Sequence, residues 1–213
     1  MQDLQINFST ESQKALSPAS HIPPLNFKPS AMRNKWRFVI KKHRATRLHY
    51  DFRLEFPGAL KSWVIDIQGP TMKANESRKA VMVGDHNPEF IYREGIIPEG
   101  QYGAGEMIVY DRGVYFPKFG GASKGLDKEV LNAMLNTGEL DFFLMGHKLK
   151  GRFRLIKTND DKSSWLLIKT DDIYCTDEDM TKLDRSVITG KTIIDIKNGK
   201  KDTYTPDPDL FSA

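Results

Sequence analysis

Cysteine is almost missing from this chain. The single residue, Cys175, rules out an internal disulfide and fits a reducing compartment, so a cytoplasmic protein is the expectation. Long apolar runs are missing too: none exceeds four residues, against the ~20 that a membrane-spanning helix needs, so no membrane partner is expected. The first twenty residues lack a basic end followed by an apolar stretch, and no secretory signal is read there. Charge of one sign does not dominate. Thirty-two Lys and Arg stand against 28 Asp and Glu, a net +4 with a pI near 9.0, which permits an anionic partner without requiring one. Internal repeats and low-complexity tracts are absent as well.

What remains is ordinary globular composition, 39% hydrophobic and 28% charged, on 213 residues. That length holds one domain with tails or two small ones, and a monomer is the expectation. Residues 1–35 are polar, carry Pro23, Pro24 and Pro29, and read as an N-terminal arm. From Trp36 the chain breaks into eight short β-rich runs, at 36–43, 48–56, 62–67, 79–86, 105–113, 138–146, 151–157 and 164–170, separated by turn residues. The expected fold is therefore mainly β, an antiparallel sandwich or small barrel. One segment breaks the pattern. Leu126, Val130, Ala133 and Met134 recur at helical spacing before Gly138, predicting one short helix over 126–136 that plugs an end or covers a face. After Tyr174 the chain turns polar, so 36–174 is expected as the folded domain and 175–213 as a C-terminal tail or linker with one helical turn near 191–198.

The chemistry concentrates in residues 41–55, KKHRATRLHYDFRLE. In a strand His49, Asp51, Arg53 and Glu55 share one face, while Leu48, Tyr50, Phe52 and Leu54 share the other. Alternate residues lie roughly 6.5 Å apart, so His49 and Asp51 can converge on one ion and Arg53 can reach an oxyanion beside it. A tight turn over Arg44 to Arg47 would bring His43 alongside His49. The His43, His49 and Asp51 set, with open positions left over, suits Mn²⁺, Fe²⁺ or Zn²⁺; a closed structural zinc site would recruit thiolates that this chain lacks. The same residues admit a second reading, in which His43 caps a hairpin while His49 and Asp51 form a surface hydrogen-bonded pair.

His86 ends the run KAVMVGDH, where a rigid strand end presents it to a turn; beside a metal and an arginine it could donate to a phosphate oxygen or protonate a leaving group. Gly100, Gly103 and Gly105 resemble a phosphate cradle, but no Lys-Ser/Thr follows and a strand comes next, so a structural turn is preferred. Lys41, Lys42, Arg44, Arg47, Arg53, Lys61, Arg78 and Arg93 interleave with Trp36, Tyr50, Trp63 and Tyr92. That mixture fits a groove that follows a phosphate backbone and stacks an end base, and it fits solvated strand faces equally.

FVIKKHRATRLHYDFRLE, LKSW at 60–63, VGDH at 83–86, EGIIPEGQYGAG at 94–105, WLLIK at 165–169 and DRSVITGKT at 184–192 together resemble the 3′-phosphoesterase module of bacterial DNA ligase D. The resemblance covers about residues 36–192. It implies a small β-barrel with a crescent-shaped groove that trims 3′ ends in non-homologous end joining. With Mn²⁺, such modules remove a 3′-terminal ribonucleoside and then the 3′-phosphate. Its implied metal ligands are His43, His49 and Asp51, with Zn²⁺ or another divalent transition metal as alternatives to Mn²⁺. Arg53 and His86 are implied to grip the scissile phosphate, with Arg78, Lys41 and Lys42 as further nucleic-acid contacts. The implied partners are DNA or RNA–DNA primer-template 3′ ends, an ATP-dependent DNA ligase and end-joining proteins.

Three departures stand out. Phe90 replaces a tyrosine usual four residues after the phosphate-binding histidine, and Lys41 stands where many members have glutamine. In the arm, Ile6-Asn7-Phe8, with Glu11 nearby, stands where the family has an Arg-Asp pair before a phenylalanine. These keep a rival open, a catalytically weak module that binds DNA ends and recruits a separate ligase. A third reading is a barrel acting on a small phosphoester.

Overall fold

The computed structural model describes residues 35–118 and 124–199, with the backbone alone for 124–127. The arm expected over 1–35, with Ile6, Asn7, Phe8 and Glu11, lies outside the described residues except for Lys35. Among the described residues nine strands form: β1 (Trp36–Arg44), β2 (Leu48–Phe56), β3 (Ala59–Ile65), β4 (Ser77–His86), β5 (Gly95–Ile97), β6 (Gly105–Pro117), β7 (Glu139–Gly146), β8 (Lys150–Lys157) and β9 (Ser164–Lys169). All pairings are antiparallel in the order β1-β2-β3-β4-β9-β8-β7-β6-β5, and an additional β1–β6 pairing closes eight of the strands into a barrel. The expected runs correspond to these eight. The short β5, which extends β6 outside the barrel, was not among them because its three residues carry no period.

The alternation of β2 explains the wall. Tyr50, Phe52, Leu54 and Phe56 point into the lumen and are at most 2% exposed, joined there by Phe38, Trp63, Tyr110, Tyr115, Phe142, Phe153 and Trp165. These large rings fill a narrow barrel; Phe52 and Phe142 stack across it at 6.1 Å. The helix α1 (Lys124–Thr137) is longer than expected, and of the four residues expected to face the core Met134 does so, while the Leu126 side chain lies outside the described residues. Leu131 joins the lumen cluster, with Met134 and Leu135 packed against it, whereas Ala133 is exposed. The helix ends at Gly138 as expected, in a left-handed conformation (φ 77°) with its N–H bonded to the Leu135 carbonyl.

Two features differ from the sequence reading. The outer face of β2, which the second reading from sequence took as surface, is covered: Asp51, Arg53 and Glu55 are 7%, 7% and 8% exposed. A second apolar layer formed by Val39, Leu60, Ile91 and Val109, with Tyr92, Val187 and Ile188 against it, roofs part of that face. Nor do the contacts stop at residue 174. Met180 is buried in the main core, Val187 N–H donates to the Val109 carbonyl at 3.0 Å, and Lys148 Nζ holds the Leu183 and Arg185 carbonyls at 2.6 Å. Residues 175–199 are thus a strap, not a tail, ending in α2 (Ile193–Lys197) behind a Thr192–Asp195 capping box. Sparse apolar residues at Met180, Val187 and Ile193 suffice to tie a polar segment down. Among the described residues no helix is long and apolar enough to cross a membrane.

Candidate metal and phosphate site

Antiparallel pairing of β1 with β2 places His43 opposite His49, Lys41 opposite Asp51 and Val39 opposite Arg53. Residues opposite each other share a face, so the expected triad assembles on the outer wall beside the Ala45–Arg47 turn. The two imidazole centroids are 4.8 Å apart. His49 Nε2 lies 3.4 Å from Asp51 Oδ1 and His43 Nδ1 lies 3.8 Å from Asp51 Oδ2. One ligand atom from each residue falls within 4.8 Å of the others. The Arg47 carbonyl sits 2.9 Å from His49 Nδ1. A proton there, donated to that carbonyl, leaves the Nε2 lone pair facing the cluster, the arrangement that orients metal-binding histidines. Two imidazoles and one carboxylate with free positions remaining fit a divalent metal ion.

Charges reinforce this geometry. Burial alone would raise the Asp51 pKa, but the His49 hydrogen bond, the Arg53 guanidinium and the neighbouring imidazoles hold it at about 2. His49 is raised by its bond to Asp51, whereas burial lowers His43. Arg53 Nη2 donates to Asp51 Oδ2 at 2.9 Å, while the buried Arg53 Nε and His43 Nε2 have no hydrogen-bond partner. Such orphaned atoms are uncommon in native interiors and call for an explanation. The glycine-rich turn acts through its main chain. Gly103, at φ 75°, lies against the His43 ring, where an added Cβ would make ordinary contact with Cε1, and a Cβ at Gly105 would collide with the Arg44 carbonyl. It backs the ring and shows no phosphate-cradling helix start, in keeping with the structural turn preferred from sequence.

His86 reaches the same wall through β3. Leu60 pairs with His86 and Arg53 with Ser62, and Ser62 Oγ lies 2.9 Å from His86 Nδ1. Burial, followed by the nearby Arg53 charge, lowers the His86 pKa, which favours the neutral ring. Lys41 also faces outward, but it is 1% exposed and its Nζ donates to the Phe90 and Arg93 carbonyls at 2.9 and 2.8 Å. Burial and Arg53 push its pKa down to about 7. As it stands, this group spends two of its donors on anchoring a turn and is buried away from the surface where a phosphate would arrive.

Two expected contacts are not brought here. Lys42 has the opposite strand parity, and its Nζ lies over the Tyr50 ring. Arg78 sits at the far end of β4, bonded to the Gly69 carbonyl and Glu76. Part of the basic cluster is also neutralised by Arg37–Glu55, Arg44–Glu106 and Lys61–Asp85 pairs. Sequence reasoning missed Ser62 and Glu94. Glu94 accepts from Val109 N–H and the Ser186 and Thr189 hydroxyls, linking turn, strand and strap. Nothing local marks either residue, because the partners that matter here, His86 for Ser62 and Val109, Ser186 and Thr189 for Glu94, lie 15 or more residues away.

Residues 41–157, more than half of the chain, match the family described as the DNA ligase D 3′-phosphoesterase domain. The multifunctional non-homologous end joining protein LigD of Pseudomonas aeruginosa is 45% identical over 138 residues, 64% of this chain and 15% of that protein. The corresponding DNA repair protein LigD of Mycobacterium tuberculosis is 40% identical over 129 residues, again 15% of its length. The LigD protein of Mycolicibacterium smegmatis is 40% identical over 134 residues, 16% of its length. The chain thus spans about 15% of the length of these curated relatives. With a match over most of the barrel and its outer-wall cluster, the chain belongs to the DNA ligase D 3′-phosphoesterase domain family.

Proposed function

We propose that this protein is a metal-dependent phosphoesterase that processes nucleic-acid 3′ ends. It removes a 3′-terminal ribonucleoside and then the 3′-phosphate, with Mn²⁺ as the first choice of metal, and leaves a 3′-hydroxyl for an ATP-dependent ligase in end joining. It acts in the cytoplasm as a monomer. The observation that carries this reading is the convergence of His43, His49 and Asp51 on one point beside Arg53.

His43, His49 and Asp51 would hold a divalent cation, which when bound would supply Lewis-acid charge for the phosphate. Asp51 brings a full negative charge to that point, since its carboxyl stays ionised far below neutral pH. Arg47, through its carbonyl, keeps His49 in the tautomer that presents Nε2. Arg53 spends one donor on Asp51 and keeps others of its rigid fork for the equatorial oxygens, where charge builds in the transition state. His86, steadied by Ser62 and favoured as the neutral ring, hydrogen-bonds the phosphate or passes a proton at its Nε2. The roofing of the wall by the 88–94 turn and the strap thins the water around these groups and strengthens each interaction.

A second reading is favoured by Phe90, which offers no hydroxyl where the family resemblance expects one. It is a module that binds ends without turning them over. A 5′-labelled primer-template ending in one ribonucleotide, and its 3′-phosphate counterpart, separate the two when incubated with Mn²⁺, Mg²⁺, Zn²⁺ or chelator. Stepwise conversion to 3′-phosphate and then 3′-hydroxyl is expected with Mn²⁺. Salt-sensitive binding with no product would establish the end-binding module instead.

A further inference from the structure

The turn between β4 and β5 carries a surface that the chemistry above leaves unused. Pro88–Phe90 forms one 3-10 turn, opened by the Asn87 side chain accepting from the Glu89 N–H. At its end Phe90 is 49% exposed, whereas Phe38, Phe52, Phe56, Phe142 and Phe153 are buried. The exposure is held in place. Lys41, buried in the wall opposite Asp51, donates to the carbonyls of both Phe90 and Arg93, so the backbone that carries the ring is pinned from beneath. The Arg93 guanidinium lies 5.6 Å from the centre of the Phe90 ring, and Arg93 makes no ion pair among the described residues. Between the turn and β1 runs a groove of about 530 Å³, lined by Arg37, Phe90, Tyr92 and Arg93. That volume falls within the ~300–1,000 Å³ of small-molecule sites. Glu89, its acidic lining residue, is engaged by the Asn87 amide.

We propose that this groove is the subsite for the nucleobase of the nucleotide bearing the 3′-phosphate, which stacks on Phe90 beside Arg93. The inference rests on the end-processing function proposed above and names a substrate element for it. Three features select a base over an apolar peptide or lipid. The exposed aromatic has the Arg93 guanidinium beside it, a combination that stacks planar rings whatever their sequence. The groove is lined by charged as well as aromatic residues, so it is suited to a flat ring with polar edges. Position adds the third. Arg37, Val39 and Lys41 follow one another on the outer face of β1 at roughly 6.5 Å steps, and Val39 pairs with Arg53. A phosphate gripped by Arg53 therefore has the groove beside it, on the side away from His49. Stacking tolerates any base, so Phe90 sets affinity for an end without setting its sequence.

The test uses two oligonucleotides with a 3′-phosphate, one normal and one abasic at the terminal nucleotide, with Mn²⁺ and the wild type, Phe90→Ala and Phe90→Trp proteins. Loss of the base is expected to lower wild-type kcat/KM roughly tenfold to hundredfold, the range that aromatic–base stacking contributes, mainly through KM. Phe90→Ala should suffer a similar loss on the normal end and little further loss on the abasic one, while Phe90→Trp restores the discrimination. Coincident melting curves for the three proteins exclude a folding defect. An abasic penalty of equal size in wild type and Phe90→Ala, or none in wild type, overturns the subsite while leaving the end-processing reading in place. If wild type converts neither oligonucleotide, the end-processing reading fails. The anisotropy of binding then decides the subsite: a base preference lost in Phe90→Ala supports it, and a preference unchanged by the substitution removes it.

Discussion

Two buried carboxylates on the barrel strands have opposite surroundings. Asp111, on β6, is fully buried, and its oxygens accept from the backbone N–H groups of Arg112, His147, Lys148 and Leu149 at 2.8–3.1 Å. These donors are neutral and fixed, and three of them belong to the main chain that turns from β7 into β8. Asp51, on β2, is 7% exposed and is engaged by side chains: a guanidinium and two imidazoles, two of which still carry an unpaired buried nitrogen. A carboxylate wrapped by backbone donors has its hydrogen-bonding capacity used up by the fold. One surrounded by titratable side chains with spare valence is an incomplete site, with capacity left for a ligand.

Substitution to asparagine at both positions is the sharpest way to break this contrast. Asp51→Asn keeps an oxygen for Arg53 but removes the anionic ligand, so Mn²⁺-dependent turnover should fall on the order of 10³-fold or more. Its melting temperature should fall as well, because a carboxyl held below its ordinary pKa stabilises the fold at neutral pH, and the stabilisation that Mn²⁺ gives the wild type should disappear. Asp111→Asn should lower stability without touching the metal response. An amide there sets its own N–H groups against backbone donors, costing about 3 kcal/mol and lowering the melting temperature by roughly 6–12 °C. Turnover per folded molecule should survive. Retained turnover in Asp51→Asn would remove the metal site, and an unchanged melting temperature in Asp111→Asn would remove the distinction drawn between the two.

The Asp51 side of that contrast was readable from sequence, and the Asp111 side was not. A nine-residue strand with large apolar residues at every second position declares its lumen face, so His49, Asp51 and Arg53 had to share the other. A short turn then fixes His43 opposite His49, because hairpin register follows from loop length. Parity also held an unused signal: Lys42 lies one residue from His43 and therefore faces away from it. Long-range pairing is where local pattern ends. The irregularity between Leu60 and Ser62, which brings His86 beside Ser62, and the distance that leaves Arg78 at the far end of β4, both depend on how β3 meets β4. Likewise, nothing in residues 145–150 announces that their N–H groups converge on Asp111. The burial of Lys41 arises from a turn 49 residues away, and the strap was misread because its few apolar residues have no period.

Asp141, on β7, lies between the two cases and gives the smallest effect. Its partners are side chains, as at Asp51, but they are conventional ones: Arg152 bonds both oxygens and Lys118 stands 3.4 Å away. Burial would raise its pKa, yet Arg152 and then Lys118 bring it below the ordinary carboxylate value. A carboxyl depressed in the folded state contributes stability that is fully present above the unfolded value, ~3.9, and is lost as the pH falls through the folded value. Asp141→Asn should therefore cost about 1 kcal/mol at pH 7, a modest figure because the arginine is partly exposed. The gap from wild type should close as the pH drops below about 4. Urea unfolding of both proteins at pH 7, 5 and 3.5 reads this directly. A gap that stays constant would mean that Asp141 acts through shape and hydrogen-bond geometry. Its charge would then not matter, and Asp141 would belong with Asp111 as a carboxylate the fold consumes.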